Sequence, residues 1–271
     1  MGKLDGQVAF ITGAARGQGR AHAVRLAQEG ADIIGIDYFG KLESVVYPQS
    51  TPEDLEETVR LVEATGKRIA TYEADVRDVD VLQKAFDTGV GELGQATIVV
   101  ANAGIGPSGA ASPQQQWDEV LAVNLTGVWN TGRVSIPSIV EHGKGGSIIL
   151  TSSTGGLIGS PSDVAGMLGY TAAKHGVVGL MRSWANFLAK HYIRVNSVAP
   201  TTVKTPMANM GDVSSIIKYV PELANSLTNA IPVEAVDPED VAAAVAWLAS
   251  DDARYVTGTV IPVDAGSFNR R

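Results

Sequence analysis

The chain contains no cysteine, which excludes disulfides, thiolate nucleophiles and cysteine-ligated metals and makes a reducing, cytoplasmic compartment the expected one. Its four histidines, His22, His142, His175 and His191, show no metal-ligand spacing, and no metal site is expected. No apolar run approaches the roughly 20 residues of a membrane helix, and Met1-Gly2-Lys3-Leu4-Asp5-Gly6 does not read as a signal peptide. Basic residues are few: 21 Lys and Arg against 29 Asp and Glu leave a net charge of −8. Without a basic surplus to release counterions from phosphates, neither nucleic acid nor an anionic membrane is an expected partner. The low hydrophobicity of a disordered chain is also absent, since 45% of the 271 residues are hydrophobic and 18% charged. What remains is a folded, acidic, globular protein.

What is present is an alternation of short β-branched runs with amphipathic stretches, the pattern of repeated βα units. Val8-Ala9-Phe10-Ile11 reads as a first strand, continuously apolar and so buried on both faces. A glycine-rich turn follows, then a helix from about Gly19 to Gln28, and a second strand, Ile33–Ile36, ending at Asp37. Thr51-Pro52-Glu53-Asp54 combines a cap, a proline at the first helical position and first-turn acids, starting a helix that runs to about Glu63. The alternation continues with a strand at Arg68–Glu73, a helix at Val79–Val90, a strand at Thr97–Ala101 and one long helix at Pro113–Ile139. It then gives strands at Ser147–Thr151, Ile193–Val198 and Thr259–Val263, with helices over Tyr170–Ala189 and from Asp237-Pro238-Glu239-Asp240. Seven strands and no Pro/Ser-rich linker predict one α/β domain over residues 1–271, a doubly wound parallel sheet with helices on both faces.

Two segments break the rhythm. Tyr38–Ser50 is longer than the usual ~2–6 residues between strand and helix, and reads either as a surface insertion or as a cover over a ligand. Thr205–Pro232 mixes Met207, Met210, Ile216, Ile217 and Val220 with turn residues; it reads as a substrate lid, an oligomer contact being the other use of its apolar side chains.

Thr12-Gly13-Ala14-Ala15-Arg16-Gly17-Gln18-Gly19 joins the first strand to the first helix. Its glycines permit a tight turn and a close backbone approach to a pyrophosphate, at the positive end of the following helix. Asp37 stands 18 residues beyond Gly19. A carboxylate there accepts both ribose hydroxyls and repels a 2′-phosphate, so NAD is expected rather than NADP. Arg16 in the same turn pulls toward a 2′-phosphate, but Asp37 lies nearer the ribose and decides for NAD.

Tyr170-Thr171-Ala172-Ala173-Lys174 places a phenol and an ammonium on one helix face, separated by ~6 Å along the axis. A nearby cation favours phenolate and lowers a tyrosine pKa from its usual ~10 toward the range of a general base. Ile148-Ile149-Leu150-Thr151-Ser152-Ser153 runs off the carboxyl end of a strand, where doubly wound sheets hold their ligands, and a serine hydroxyl there can hydrogen-bond a reacting oxygen. Taken singly, the Tyr/Lys pair reads as a surface cation beside a half-buried ring, and the serines as turn formers. Their coincidence with a dinucleotide turn points to catalysis.

The chain also carries Asp75-Val76, Ala101-Asn102-Ala103-Gly104, Asn124 within Val123-Asn124-Leu125, and Ile193-Arg194-Val195-Asn196-Ser197. In this order, over essentially the whole length, the set resembles the short-chain dehydrogenase/reductase family. The resemblance implies a Rossmann-type fold and Asn124, Ser153, Tyr170 and Lys174 as the catalytic residues. Tyr170 would be the acid/base and Ser153 would hold the substrate oxygen. Lys174 would bind the nicotinamide ribose and lower the Tyr170 pKa, and Asn124 would hold a water linking Lys174 to solvent. Ser153 matches rather than Ser152 because the family's serine is followed three residues later by glycine, here Gly156. Cofactor positions carried over are Gly13, Arg16, Gly17, Gln18 and Gly19 in the turn, with Asp37. Asp75 would meet the adenine amine, Val76 its ring, Asn102 and Gly104 the adenosine ribose side, and Thr205 the carboxamide, with Val203 beside it. The implied activity is hydride transfer between NAD and a secondary alcohol or its ketone. A 3-oxoacyl reductase or steroid dehydrogenase, and a catalytically silent nucleotide-binding regulator, are the alternatives.

Three departures from the family pattern stand out. Thr201 occupies a usual glycine position, implying a tighter nicotinamide pocket. Sixteen residues separate Ser153 from Tyr170, implying a bulge around Pro161–Leu168. The third is the Tyr38–Ser50 extension. With Ile34-Gly35-Ile36-Asp37 and Ala74-Asp75-Val76-Arg77-Asp78, that extension resembles the mycofactocin-coupled branch of the family, which includes carveol dehydrogenase. This implies NAD buried beneath the insert, recycling in place through an external redox partner, and an apolar terpenoid or alicyclic alcohol as substrate. Family habit further implies a homotetramer, with the helices near Pro113–Ile139 and Tyr170–Ala189 at one interface.

Overall fold

Apolar residues on successive faces of the central strands feed two separate cores, one on each side of a single sheet. In the computed structural model, residues 2–106, 111–208 and 229–269 are described. Strands β1 (Val8–Thr12), β2 (Asp32–Asp37), β3 (Ile69–Glu73), β4 (Ile98–Ala101), β5 (Gly146–Thr151), β6 (Ile193–Pro200) and β7 (Val260–Val263) lie in the order β3-β2-β1-β4-β5-β6-β7. Every pairing is parallel. Phe10, Ile34, Val99 and Ile148 point to one core, and Ile11, Ile33, Val100 and Ile149 to the other. The strand order reverses between β1 and β4, so the carboxyl ends of these two strands open a crevice, the place where such sheets hold ligands.

Helices α1 (Gly17–Gln28), α2 (Pro52–Glu63) and α7 (Pro238–Ala249) cover the second core, through residues such as Leu26, Leu55, Val241 and Val245. Helices α3 (Val79–Leu93), α4 (Pro113–Leu121), α5 (Gly127–His142) and α6 (Ala165–Leu188) cover the first, through Phe86, Val120, Val134, Val177 and Met181. The start of α2 is fixed as its sequence predicts: Thr51 Oγ1 accepts from the Asp54 amide, and the Asp54 carboxylate accepts from the Thr51 amide.

Two expectations are corrected. The helix expected over Pro113–Ile139 is divided by a π-helical turn at Ala122–Thr126, in which the Gly127 amide reaches back to the Ala122 carbonyl. Such widened turns gather at functional sites, and this one carries Asn124. The bulge expected around Pro161–Leu168 is confined to its first half: 161–164 belong to a loop, but the chain is helical from Ala165, so Tyr170 sits in the second turn of α6. The helix start has no side-chain cap, and Gly166 and Gly169 are poor helix formers that hide it from pattern reading. Of the expected lid, residues 209–228 lie outside the described residues; Pro206–Ala208 forms a short 3₁₀ turn at its near end. Among the described residues, no helix is long and apolar enough to cross a membrane, and no group of three His, Asp or Glu is arranged to hold a metal.

Candidate active site

The β1–α1 turn is glycine-rich because nothing larger fits. A Cβ on Gly19 would stand 1.8 Å from the Gly13 carbonyl oxygen, and one on Gly13, at φ +72°, would stand 2.9 Å from Ala103 Cα. Asn102 ties the turn to the end of β4: its Nδ2 donates to the Thr12 and Gly13 carbonyls, while Thr12 Oγ1 accepts from the Asn102 and Ala103 amides. The amino end of α1 is thereby held open at the sheet crevice, ready for an anion. The resulting groove is lined by Gly13, Gly17, Gln18, Asp37, Asp75 and Val76, among others, with Gly104 and Thr205 at its inner end.

Asp37 closes the outer end of this groove. Burial raises its pKa, opposed by hydrogen bonds from the Ala15 amide (2.8 Å), the Tyr38 amide (2.8 Å) and Ser50 Oγ (2.9 Å), and by Arg16. A carboxylate has about four acceptor directions. With three taken, about one remains for a ribose, fewer than the two expected from sequence. Arg16 lines the same groove, but its guanidinium is engaged there, bonding the Pro48 carbonyl and lying 3.9 Å from Asp54. The Asp75 carboxylate is held by Arg77 (Nε 2.8 Å, Nη2 2.5 Å), which also lies 5.6 Å from the centre of the Tyr38 ring. Val76 is fixed through its carbonyl, which accepts from Asn130 Nδ2 at 2.8 Å.

The Tyr38–Ser50 insert folds over the groove. Gln49 bonds both backbone groups of Leu42, pinching the insert into a closed strap. It is anchored to the rest of the chain at three points. Ser50 bonds Asp37, Ser44 donates from both its amide and its hydroxyl to the Glu119 carboxylate on α4, and Tyr47 Oη accepts from the Gly106 amide at 2.9 Å. Leu42, Val45, Tyr47, Gln49 and Ser50 line the groove from above. Tyr47 is buried, which pushes its pKa up to about 12, so the phenol is neutral. The length of the loop marks it in the sequence, but nothing local marks Ser44, Tyr47 or Gln49 as the residues that tie it down.

A second cavity adjoins the groove, sharing Gln18, Asn102, Gly104, Ile105, Thr205 and Met207 with it. Ile105, Ile158, Met167 and Met207 give it apolar walls, and Ser153, Tyr170 and Lys174 form its polar end. Burial raises the Tyr170 pKa, while the Ser153 hydroxyl beside it acts in the other direction. The lowering of this phenol expected from Lys174 is therefore not what the structure shows; Ser153 is the opposing group. Lys174 Nζ lies 5.7 Å from the Tyr170 ring centre and donates to the Thr151 carbonyl at 2.7 Å. Lys174 is 4% exposed, and burial lowers its pKa to about 8.

Ser152 is turned away from this group, its hydroxyl donating to the Lys174 carbonyl at 3.0 Å. Asn124 clamps Ile105 through both side-chain atoms, Oδ1 accepting from its amide (2.8 Å) and Nδ2 donating to its carbonyl (2.9 Å). A Cβ on Gly104 would stand 3.2 Å from Asn124 Oδ1 and 3.7 Å from Lys174 Nζ, so the two side chains flank that glycine. Thr201 keeps ordinary backbone geometry and donates to Asn229 Oδ1, which explains how a threonine is tolerated there. Val203 is buried and bridges to Val236, and Thr205 follows at the joint of the two cavities.

Comparison with known proteins agrees with this architecture. A family model described as enoyl-(acyl carrier protein) reductase matches residues 13–267. The chain is 46% identical to the (-)-trans-carveol dehydrogenase of Rhodococcus erythropolis, over 98% of this chain and 99% of that one. A short-chain dehydrogenase from Mycobacterium paratuberculosis, solved bound to NAD, superposes with a TM-score of 0.93 at 50% identity, covering 99% and 100% of the two chains. Carveol dehydrogenase from Mycobacterium avium, solved in complex with NAD, gives 0.90 at 48% identity with the same coverage. With the glycine turn, the strand reversal and the serine–tyrosine–lysine end of the cavity in place, the chain belongs to the short-chain dehydrogenase/reductase family of oxidoreductases.

Proposed function

We propose that the protein binds NAD in the groove beneath the strap and catalyses hydride transfer between NAD and a secondary alcohol or its ketone, with an apolar alicyclic or terpenoid alcohol as substrate. The observation that carries this reading is the junction of a glycine-lined groove with an apolar cavity ending in Tyr170, Ser153 and Lys174. The residues fit the dinucleotide: the cradle at Gly13 and Gly19 admits no side chain, and Asp37 supplies a buried acceptor at the ribose end. When bound, NAD supplies a nicotinamide that accepts or returns the hydride.

The remaining work falls to the chain. Ser153 Oγ holds the substrate oxygen beside the Tyr170 hydroxyl. Tyr170, kept protonated by burial, gives its proton to the carbonyl oxygen in reduction; in oxidation it first loses that proton to solvent, and the resulting phenolate takes the hydroxyl proton as the hydride leaves. Lys174 carries an ammonium below about pH 8, is held in place by Thr151 and would bind the nicotinamide ribose. Asn124 keeps Ile105 and Gly104 in the wall where the cavities meet.

The strap favours slow exchange of the nucleotide, with reoxidation in place by an external acceptor of the mycofactocin type. The carveol dehydrogenase relatives support the alicyclic substrate class. A homotetramer belongs to the same reading, supported by Trp129 on α5 and Phe187 on α6, which stand exposed. The test is a panel of secondary alcohols assayed with NAD and an artificial electron acceptor. Turnover of alicyclic alcohols with NAD, and none with NADP, is expected. Activity confined to NADPH and 3-oxoacyl thioesters would overturn the reading.

A further inference from the structure

At the carboxyl ends of β4 and β5, on the side of the sheet covered by α1, several buried polar atoms have no hydrogen-bond partner. They are Gln18 Oε1, both ring nitrogens of His22 and Thr151 Oγ1. Gln18 and Thr151 line the same cavity. Gln18 and His22 are one turn apart on α1. Asn102, whose side chain acts on the His22 ring and opposes the lowering of its pKa, directly follows Ala101, which pairs with Leu150, so Asn102 and Thr151 are neighbours across the strand ends. Gln18 also stands at the joint of the two cavities, lining both. Thr205 closes over the same point, since a Cβ on Gly17 would stand 3.0 Å from its Cγ2.

A buried carbonyl oxygen without a donor is unfavourable, and proteins keep one mainly where a ligand or water supplies the donor. The part of a dinucleotide that reaches this joint, next to Tyr170, is the nicotinamide. Its carboxamide offers N–H donors of the kind Gln18 Oε1 lacks. We propose that the Gln18 side-chain carbonyl accepts a hydrogen bond from the nicotinamide carboxamide, fixing which ring face is turned toward Tyr170. This inference rests on the NAD reading above. His22, one turn behind, is uncharged, burial pushing its pKa down to about 3, so it sets no cation against an oxidised nicotinamide. The lone Arg16 of the turn faces the strap and α2, leaving Gln18 as the turn's polar side chain at the inner end.

The distinguishing experiment compares NAD with ADP-ribose, which has the same adenosine, pyrophosphate and second ribose but no nicotinamide. Radiolabelled NAD or ADP-ribose is loaded by equilibration onto the parent and Gln18→Leu proteins, and retention on dilution is followed by filtration. Loss of one net hydrogen bond should shorten NAD retention by about five- to tenfold in Gln18→Leu. ADP-ribose retention should be unchanged, which also shows that the variant is folded and its turn intact. Equal loss for both ligands would overturn the proposal, placing Gln18 on the pyrophosphate or in the turn itself. No loss for either would overturn it as well. A parent that retains neither ligand would instead sink the NAD reading, a result separate from either of these.

Discussion

Partly buried Tyr170 and fully buried Lys174 are ionisable groups close together, and the cost of burying the lysine sets up the first prediction. A fall in the Lys174 pKa from 10.5 to about 8 corresponds to roughly 3 kcal/mol of unfavourable burial when the amine is charged. Its folded pKa lies below its unfolded one, so this penalty is full below pH 8 and disappears as pH rises toward 10.5. Lys174→Met is therefore expected to be no less stable than the parent in urea at pH 7, despite losing the bond to Thr151, while turnover falls at least ~10²-fold. A variant that is both inactive and several kcal/mol less stable would show that the lysine is structural. His22 supplies a second prediction. Its folded pKa, about 3, is depressed below 6.5, so the neutral ring's contribution is complete above about pH 6.5 and declines as pH falls toward 3. Between pH 7 and pH 5 this amounts to about 2 kcal/mol of lost stability. His22→Leu, which removes the titrating ring, should lack that part of the slope in urea denaturation at the two pH values.

The strap is the element on which the nucleotide reading depends most, and Glu119 is its charged anchor on α4. Burial works to raise the Glu119 pKa, but hydrogen bonds from Ser44 and Gln115 outweigh it and hold the carboxyl below its usual range. Glu119→Ala should speed NAD release by about tenfold, the loss of one or two charge-assisted bonds, and leave the rate of a single hydride transfer unchanged. Equal release rates in the two proteins would mean the strap does not hold the cofactor. The sequence located this loop by its length, between Asp37 and the Thr51 cap, but not its path. Its anchors, Glu119, Gly106 and Asp37, lie on three different parts of the chain, and no local pattern encodes such pairings. The π turn at Asn124 was equally invisible, because Pro113–Ile139 keeps a helical period through it. The glycine turn, the Asp237 and Thr51 helix starts and the seven strands were legible because each rests on short-range sterics or a continuous apolar run. The Tyr170 environment was read only in part. Four-residue spacing predicted the neighbouring ammonium, but a sequence does not display burial, which sets both pKa values here.

At the scale of the whole molecule, the reversal of strand order between β1 and β4 places the glycine turn, the strap and the α6 tyrosine around one crevice. Gly19→Ala tests that geometry. With its Cβ 1.8 Å from the Gly13 oxygen, the turn must open, and NAD retention should be abolished along with ~1–3 kcal/mol of stability. An alanine variant that binds NAD normally would show that the crevice is not the nucleotide site. The central claim, that Tyr170 moves a proton beside bound NAD, has a more direct test. NAD-loaded parent and Tyr170→Phe proteins are mixed with an alicyclic secondary alcohol, and enzyme-bound NADH is followed by absorbance in a single turnover. The account predicts NADH formation in the parent and a rate at least ~10²-fold lower in the phenylalanine variant, with equal amounts of NAD bound to both. NADH formation at a near-parental rate in Tyr170→Phe would contradict it.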